Sequence, residues 1–64
     1  MSLYDYERSI EMFKADEPFY ALIMAAMLKA DADNCFRLQR VFPETWLELR
    51  KRYSAPGGKI DGES

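Results

Sequence analysis

Sixty-four residues, 48% of them hydrophobic and 14% aromatic, make one domain at most. A core of that size rarely supplies more than about 3–5 kcal/mol. The usual supplements are excluded by inventory: Cys35 is the single cysteine, so no intrachain disulfide can form, and without a histidine there is no ligand set for a zinc site.

Leu3, Tyr6, Ile10 and Phe13 recur every three or four positions, with Asp5, Glu7, Arg8, Glu11 and Lys14 mostly off that line. This spacing predicts an amphipathic helix over residues 3–15. The N-terminal residues show no basic segment followed by an apolar run, so no signal peptide is expected. Asp16-Glu17-Pro18 reads as the start of a second helix over 17–30. Asp16 is placed to cap it, Glu17 to favour its positive end, and Pro18 to sit in its first turn. Phe19, Tyr20, Leu22, Ile23, Met24, Met27 and Leu28 make that helix apolar nearly all round. Such a helix asks to be buried on most sides, and Ala21, Ala25 and Ala26 offer small surfaces for close helix approach. The apolar run over 19–28 is half the length of about 20 residues that a membrane span needs, so no membrane association is expected.

Asp31 or Asp33 caps a third helix, 32–41, whose apolar side is Cys35, Phe36, Leu38, Val41 and Phe42. Pro43 ends it and opens a fourth, 43–53, carrying Trp46, Leu47, Leu49 and Tyr53. Glu48 and Arg52 form an i,i+4 pair in the favourable order. Ser54-Ala55-Pro56-Gly57-Gly58 stops the helix. The expected fold is therefore all-α: four short helices in one domain over 1–58, with a mobile tail over 59–64. A single small core cannot cover the all-round apolar second helix, so the domain is expected to pack as a homo-oligomer.

Catalysis is not expected. No histidine is present to activate Cys35 or a serine, and a small buried hydrophobe is the ordinary reading of a cysteine on an apolar stripe. The paired acids Asp16/Glu17 and Asp31/Asp33 each precede a helix, where capping accounts for them. Pro56-Gly57-Gly58-Lys59 lacks the spacing and the following Ser or Thr of a phosphate loop. Neither a cofactor nor a metal is implied.

Charge is divided unevenly. Residues 1–33 hold seven acids against three bases, and residues 34–64 four acids against six bases. The basic set stands beside aromatics: Arg37 and Arg40 on the third helix, Arg50, Lys51, Arg52 and Tyr53 at the end of the fourth, then the Gly57-Gly58 turn. Arginine forks suit phosphate and carboxylate groups, and a glycine turn can form an anion-binding nest. Arg37, Arg40, Arg50, Arg52, Tyr53, Gly57 and Gly58 are thus the candidate ligand-binding residues. A solvated helix end that satisfies its own dipole explains the same cluster equally well. An acidic protein is a poor general duplex binder, and no helix carries the dense basic and amide side chains of groove reading, so a nucleic-acid partner is not expected.

The segments Asp16-Glu17-Pro18-Phe19-Tyr20-Ala21-Leu22-Ile23-Met24-Ala25-Ala26-Met27, Asp31-Ala32-Asp33-Asn34, Phe42-Pro43-Glu44 and Arg52-Tyr53-Ser54-Ala55-Pro56-Gly57-Gly58 resemble small helical proteins of bacteriophages and prophages that have no established activity. The resemblance covers most of the chain. It implies a setting in the cytoplasm of a bacterial host, with which the lone free thiol agrees. It also implies an accessory, anti-defence role, of which the oligomeric sponges that sequester nucleotide immune signals are one form. The expected function is capture of a small anionic, nucleotide-type ligand at a subunit interface. The alternatives are an interaction module that inhibits a host protein, and a small DNA-binding regulator.

Overall fold

The computed structural model describes residues 1–60 and Gly62. Among them are four α-helices and no strand: α1 (Leu3–Lys14), α2 (Phe19–Lys29), α3 (Ala32–Val41) and α4 (Pro43–Ser54), followed by a single 3-10 turn, Pro56–Gly58. None of the helices is long and apolar enough to cross a membrane. The tail expected over 59–64 falls partly outside the described residues; of those described, Lys59 is exposed and Ile60 half-buried.

Each helix boundary has a local cause. Ser2 caps α1, its hydroxyl oxygen accepting from the Asp5 N–H at 3.2 Å. Asp31 caps α3 by accepting from the Asn34 N–H at 2.9 Å, so of the two candidate acids the first does the capping. The corner between α1 and α2 differs from expectation. Asp16 does not cap α2. It adopts a left-handed conformation, φ 57°, and closes α1 as its N–H donates to the Phe13 carbonyl at 3.1 Å. A short polar side chain tolerates that region better than most. Pro18, at φ −60° and ψ 142°, occupies the capping position, and its carbonyl accepts the first helical bond from the Leu22 N–H. The steric demand of Pro18 on Glu17 keeps the chain extended there, so α2 begins at Phe19 and not at 17. Its N-terminus carries no side-chain cap.

Phe42 is at once the C-cap of α3 and the N-cap of α4. Its N–H donates to Leu38 and its carbonyl accepts from Trp46, so one residue turns the chain between the two helices. Its ring meets Phe19 edge-on at 6.1 Å, and Phe19 meets Tyr20 edge-on at 5.1 Å. This aromatic run ties the start of α2 to the α3–α4 corner.

Helices α2, α3 and α4 pack on one another, and the 3-10 turn packs on α4. Helix α1 makes no close backbone approach to any of them. The molecule is elongated in consequence, 42 × 27 × 17 Å. Among the described residues only Met27 on α2 and Leu49 on α4 are buried, at 3% and 8% exposure. Thirteen large apolar side chains of the described residues are exposed, among them Leu3, Tyr6 and Phe13 on α1 and Phe19, Tyr20 and Leu28 on α2. Burial of α2 on most sides is thus not achieved within one chain: Leu22, Ile23 and Met24 are half-buried, and Ala25 and Ala26 are exposed.

With so little interior, each buried side chain counts heavily. Truncating a buried Leu or Met to Ala costs about 2–5 kcal/mol, comparable to the whole yield of so small a core. Met27→Ala and Leu49→Ala should each leave the chain largely unfolded at 25 °C by far-UV circular dichroism, whereas Glu44→Ala, on the exposed side of α4, should melt like the parent.

Candidate functional site

Two regions of the chain are candidate sites: the space between α1 and α2, and the basic residues of α3 and α4.

The first is a groove of about 570 Å³. Its α2 wall is Leu22, Ala25, Ala26 and Lys29, a 3-4-7 spacing that puts all four on one helix face. Its α1 wall is Ser9, Met12 and Phe13, and Asp16 and Glu17 close it at the corner. The left-handed Asp16 and the extended Pro18 splay the two helices, which leaves the groove open. The lining is mostly apolar, with Asp16, Glu17 and Lys29 as its charged groups, and the two alanines leave room for a side chain or a helix ridge. The role of Ala25 and Ala26 was legible in the sequence. That of Ser9 and Met12 was not, because they lie beside the Leu3–Tyr6–Ile10–Phe13 stripe and not on it.

The second region is divided. Arg37 and Arg40 flank Val41 at one depression on α3, where Arg37 also donates to the Asn34 side chain at 3.4 Å. Arg50 and Tyr53 line another, of about 210 Å³, together with Leu28, Trp46, Leu49 and Ser54. Arg52 turns inward instead. Its Nη1 donates to the Gly58 carbonyl at 2.9 Å and its Nε faces the Glu48 carboxylate at 3.4 Å, so it clasps the end of α4 to the turn that follows. Gly57 and Gly58 take φ values of 65° and 71°, a region that L side chains rarely enter. The Gly58 N–H donates to Ala55 and the Lys59 N–H to Pro56, so these two amides are directed into the turn. The depression beside the turn is lined by two lysines, Lys51 and Lys59, with Ala55, Pro56 and Ile60. The seven candidate residues are therefore distributed over three places. The structure brings together Arg37 with Arg40, Arg50 with Tyr53, and Arg52 with Gly58.

Cys35 is half-buried and accepts from the Gln39 amide at 3.4 Å. Among the described residues no three His, Cys, Asp or Glu side chains stand where they could hold a metal ion. No protein-family model, curated protein or solved structure matches the chain.

The division of the arginines predicts unequal effects on stability. A single partly buried, charge-assisted hydrogen bond contributes about 1 kcal/mol net, which moves the midpoint of a 60-residue domain by about 4–8 °C. Thermal melts should show Arg52→Ala lowered by that amount. Arg37→Ala and Arg40→Ala should fall within about 0.5 kcal/mol of the parent, as exposed substitutions do.

Proposed function

We propose that this protein is a non-enzymatic binding module that works as a homo-oligomer. One observation carries the reading: among the described residues thirteen large apolar side chains lie exposed around two buried ones. The accessible surface of the chain is 5708 Å², while a compact folded chain of this mass exposes about 4,250 Å². Large exposed apolar side chains occur on all four helices, among them Tyr6 and Phe13 on α1, Phe19 and Leu28 on α2, Phe36 and Val41 on α3, and Leu47 and Tyr53 on α4. Exposed apolar area on that scale marks an interaction surface. Light scattering at micromolar concentration should give a mass above the 7.5 kDa of one chain. A monomer of that mass would overturn the oligomer.

A second reading, capture of a small anionic, nucleotide-type ligand, is favoured by the depression where Arg50 stands beside Trp46 and Tyr53. A cationic fork next to two aromatic walls suits a phosphate joined to a planar base. At about 210 Å³ it is smaller than the roughly 300–1,000 Å³ of ordinary ligand pockets, so a neighbouring subunit would have to complete it. Sequestration of such a ligand is the form that an anti-defence role would take. Calorimetry with cyclic and linear nucleotides should then show binding that Arg50→Ala weakens about tenfold, the factor corresponding to 1.4 kcal/mol, while Arg52→Ala acts through the fold. Absence of binding up to millimolar concentration would remove this reading and leave a protein partner for the surface.

A further inference from the structure

The depression beside Arg50 is small, and its chemistry is one-sided. Trp46, Leu49, Arg50 and Tyr53 recur at steps of three, one and three, which puts them on one face of α4, and Leu28 of α2 closes the side. Arg50 alone of the lining residues is charged. The acids of α4, Glu44 and Glu48, line a different depression with Tyr20 and Met24, and Glu48 is already engaged by Arg52. Among the described residues the Arg50 guanidinium forms no ion pair or hydrogen bond, and the Trp46 indole N–H has no partner either. No buried side-chain nitrogen or oxygen of the described residues lacks a partner, so that N–H is open to solvent although Trp46 is half-buried. The guanidinium and the indole N–H can only donate, and the Tyr53 and Ser54 hydroxyls can donate as well. No carboxylate, amide or imidazole side chain lines the depression. Such a set suits an anion joined to a flat apolar body, and it holds no obligate acceptor to read the amino groups of a nucleobase.

Size decides how large that body is. An apolar cavity of about 150 Å³ holds one benzene ring. A depression of about 210 Å³ therefore has room for one ring and a carboxylate, and not for a base, a sugar and a phosphate together. We propose that this depression, within a single chain, binds one aromatic ring that carries one negative charge, an aryl carboxylate being the simplest. The inference rests on the reading above that the Arg50 depression is a ligand site, and it narrows the ligand class. The ring lies against Trp46 and Tyr53 in the offset or edge-on arrangements that aromatic pairs prefer. The guanidinium takes the carboxylate through two parallel hydrogen bonds. One cation matches one charge, because a second charge would lose water beside Leu28 and Leu49 without gaining a partner.

Trp46 is the only tryptophan of the chain, so its fluorescence reads the depression directly. The probe is phenylacetate, titrated into the full chain, with 2-phenylethanol and acetate as the compounds that lack the charge or the ring. Phenylacetate should change the emission saturably, with a dissociation constant below about 1 mM, and the other two should bind at least tenfold more weakly. Arg50→Gln removes the cation, and Leu28→Glu places a competing carboxylate in the lining. Both positions are exposed, so both variants should melt like the parent, and each should bind phenylacetate at least tenfold more weakly. Arg37→Gln, at a separate depression, should bind like the parent. No saturable change at ten times the expected dissociation constant would overturn the proposal and leave the nucleotide reading to its own calorimetry. Equal binding of phenylacetate by Arg50→Gln, or of 2-phenylethanol by the parent, would overturn it too. Tighter binding of 3′,5′-cyclic adenosine monophosphate than of phenylacetate would overturn the size limit and favour a nucleotide held between subunits.

Discussion

Scarcity of interior governs this molecule. Helices α2, α3 and α4 pack together, yet among the described residues only Met27 and Leu49 are withdrawn from water. Three helices of 10–12 residues enclose little space, and with a single cysteine no intrachain disulfide relieves the shortage. The remaining features follow from it. The Phe19–Phe42 contact, the one-residue corner at Phe42 and the Arg52 clasp onto Gly58 hold the ends of these helices together, where the centre contributes so little. Everything left over is displayed: an apolar α1, an apolar groove and an apolar outer edge of α4.

That arrangement shifts the functional emphasis from charge to shape. A basic cluster at the end of α4 invites an electrostatic reading. In the folded chain, however, Arg52 and the glycine turn complete each other, and Arg37 and Arg40 stand at a separate depression. What persists is a single arginine, Arg50, beside Trp46 and Tyr53. The larger and more continuous feature is the apolar groove at the other end of the chain. Its sides come from two helices that meet at a left-handed Asp16, so its width is set by backbone conformation and not by a side chain.

Much of the fold was legible in the sequence because periodicity and punctuation are local signals. The bounds 32–41 coincide with α3, and those of the other helices fall within two residues. Asp31 and Pro43 act as their positions imply. The start of α2 is ambiguous in the sequence because Asp16-Glu17-Pro18 satisfies two grammars, a cap followed by a first-turn proline and a helix stop followed by an extended proline. Only the geometry of the α1 end separates them. The direction in which α1 leaves the corner was not legible at all, since its apolar stripe reads the same whether it faces its own chain or another. For the candidate site, a run such as Arg50-Lys51-Arg52 points three side chains about 100° apart around the helix. Adjacent positions cannot share a site, and the i+4 relation of Arg52 to Glu48 was the clue that it is committed to the fold.

The central claim is that α1 is completed by a surface outside its own chain, and amide hydrogen exchange at micromolar concentration tests it most directly. Within one chain α1 makes no close backbone approach to the other helices, and its amides would open at little cost, like those of a frayed segment. The account predicts that the amides of α1 from Glu7 to Lys14 are protected to a degree comparable with those of α4. Amides of α1 exchanging at the rate of unfolded peptide, while those around Leu49 stay protected, would contradict it.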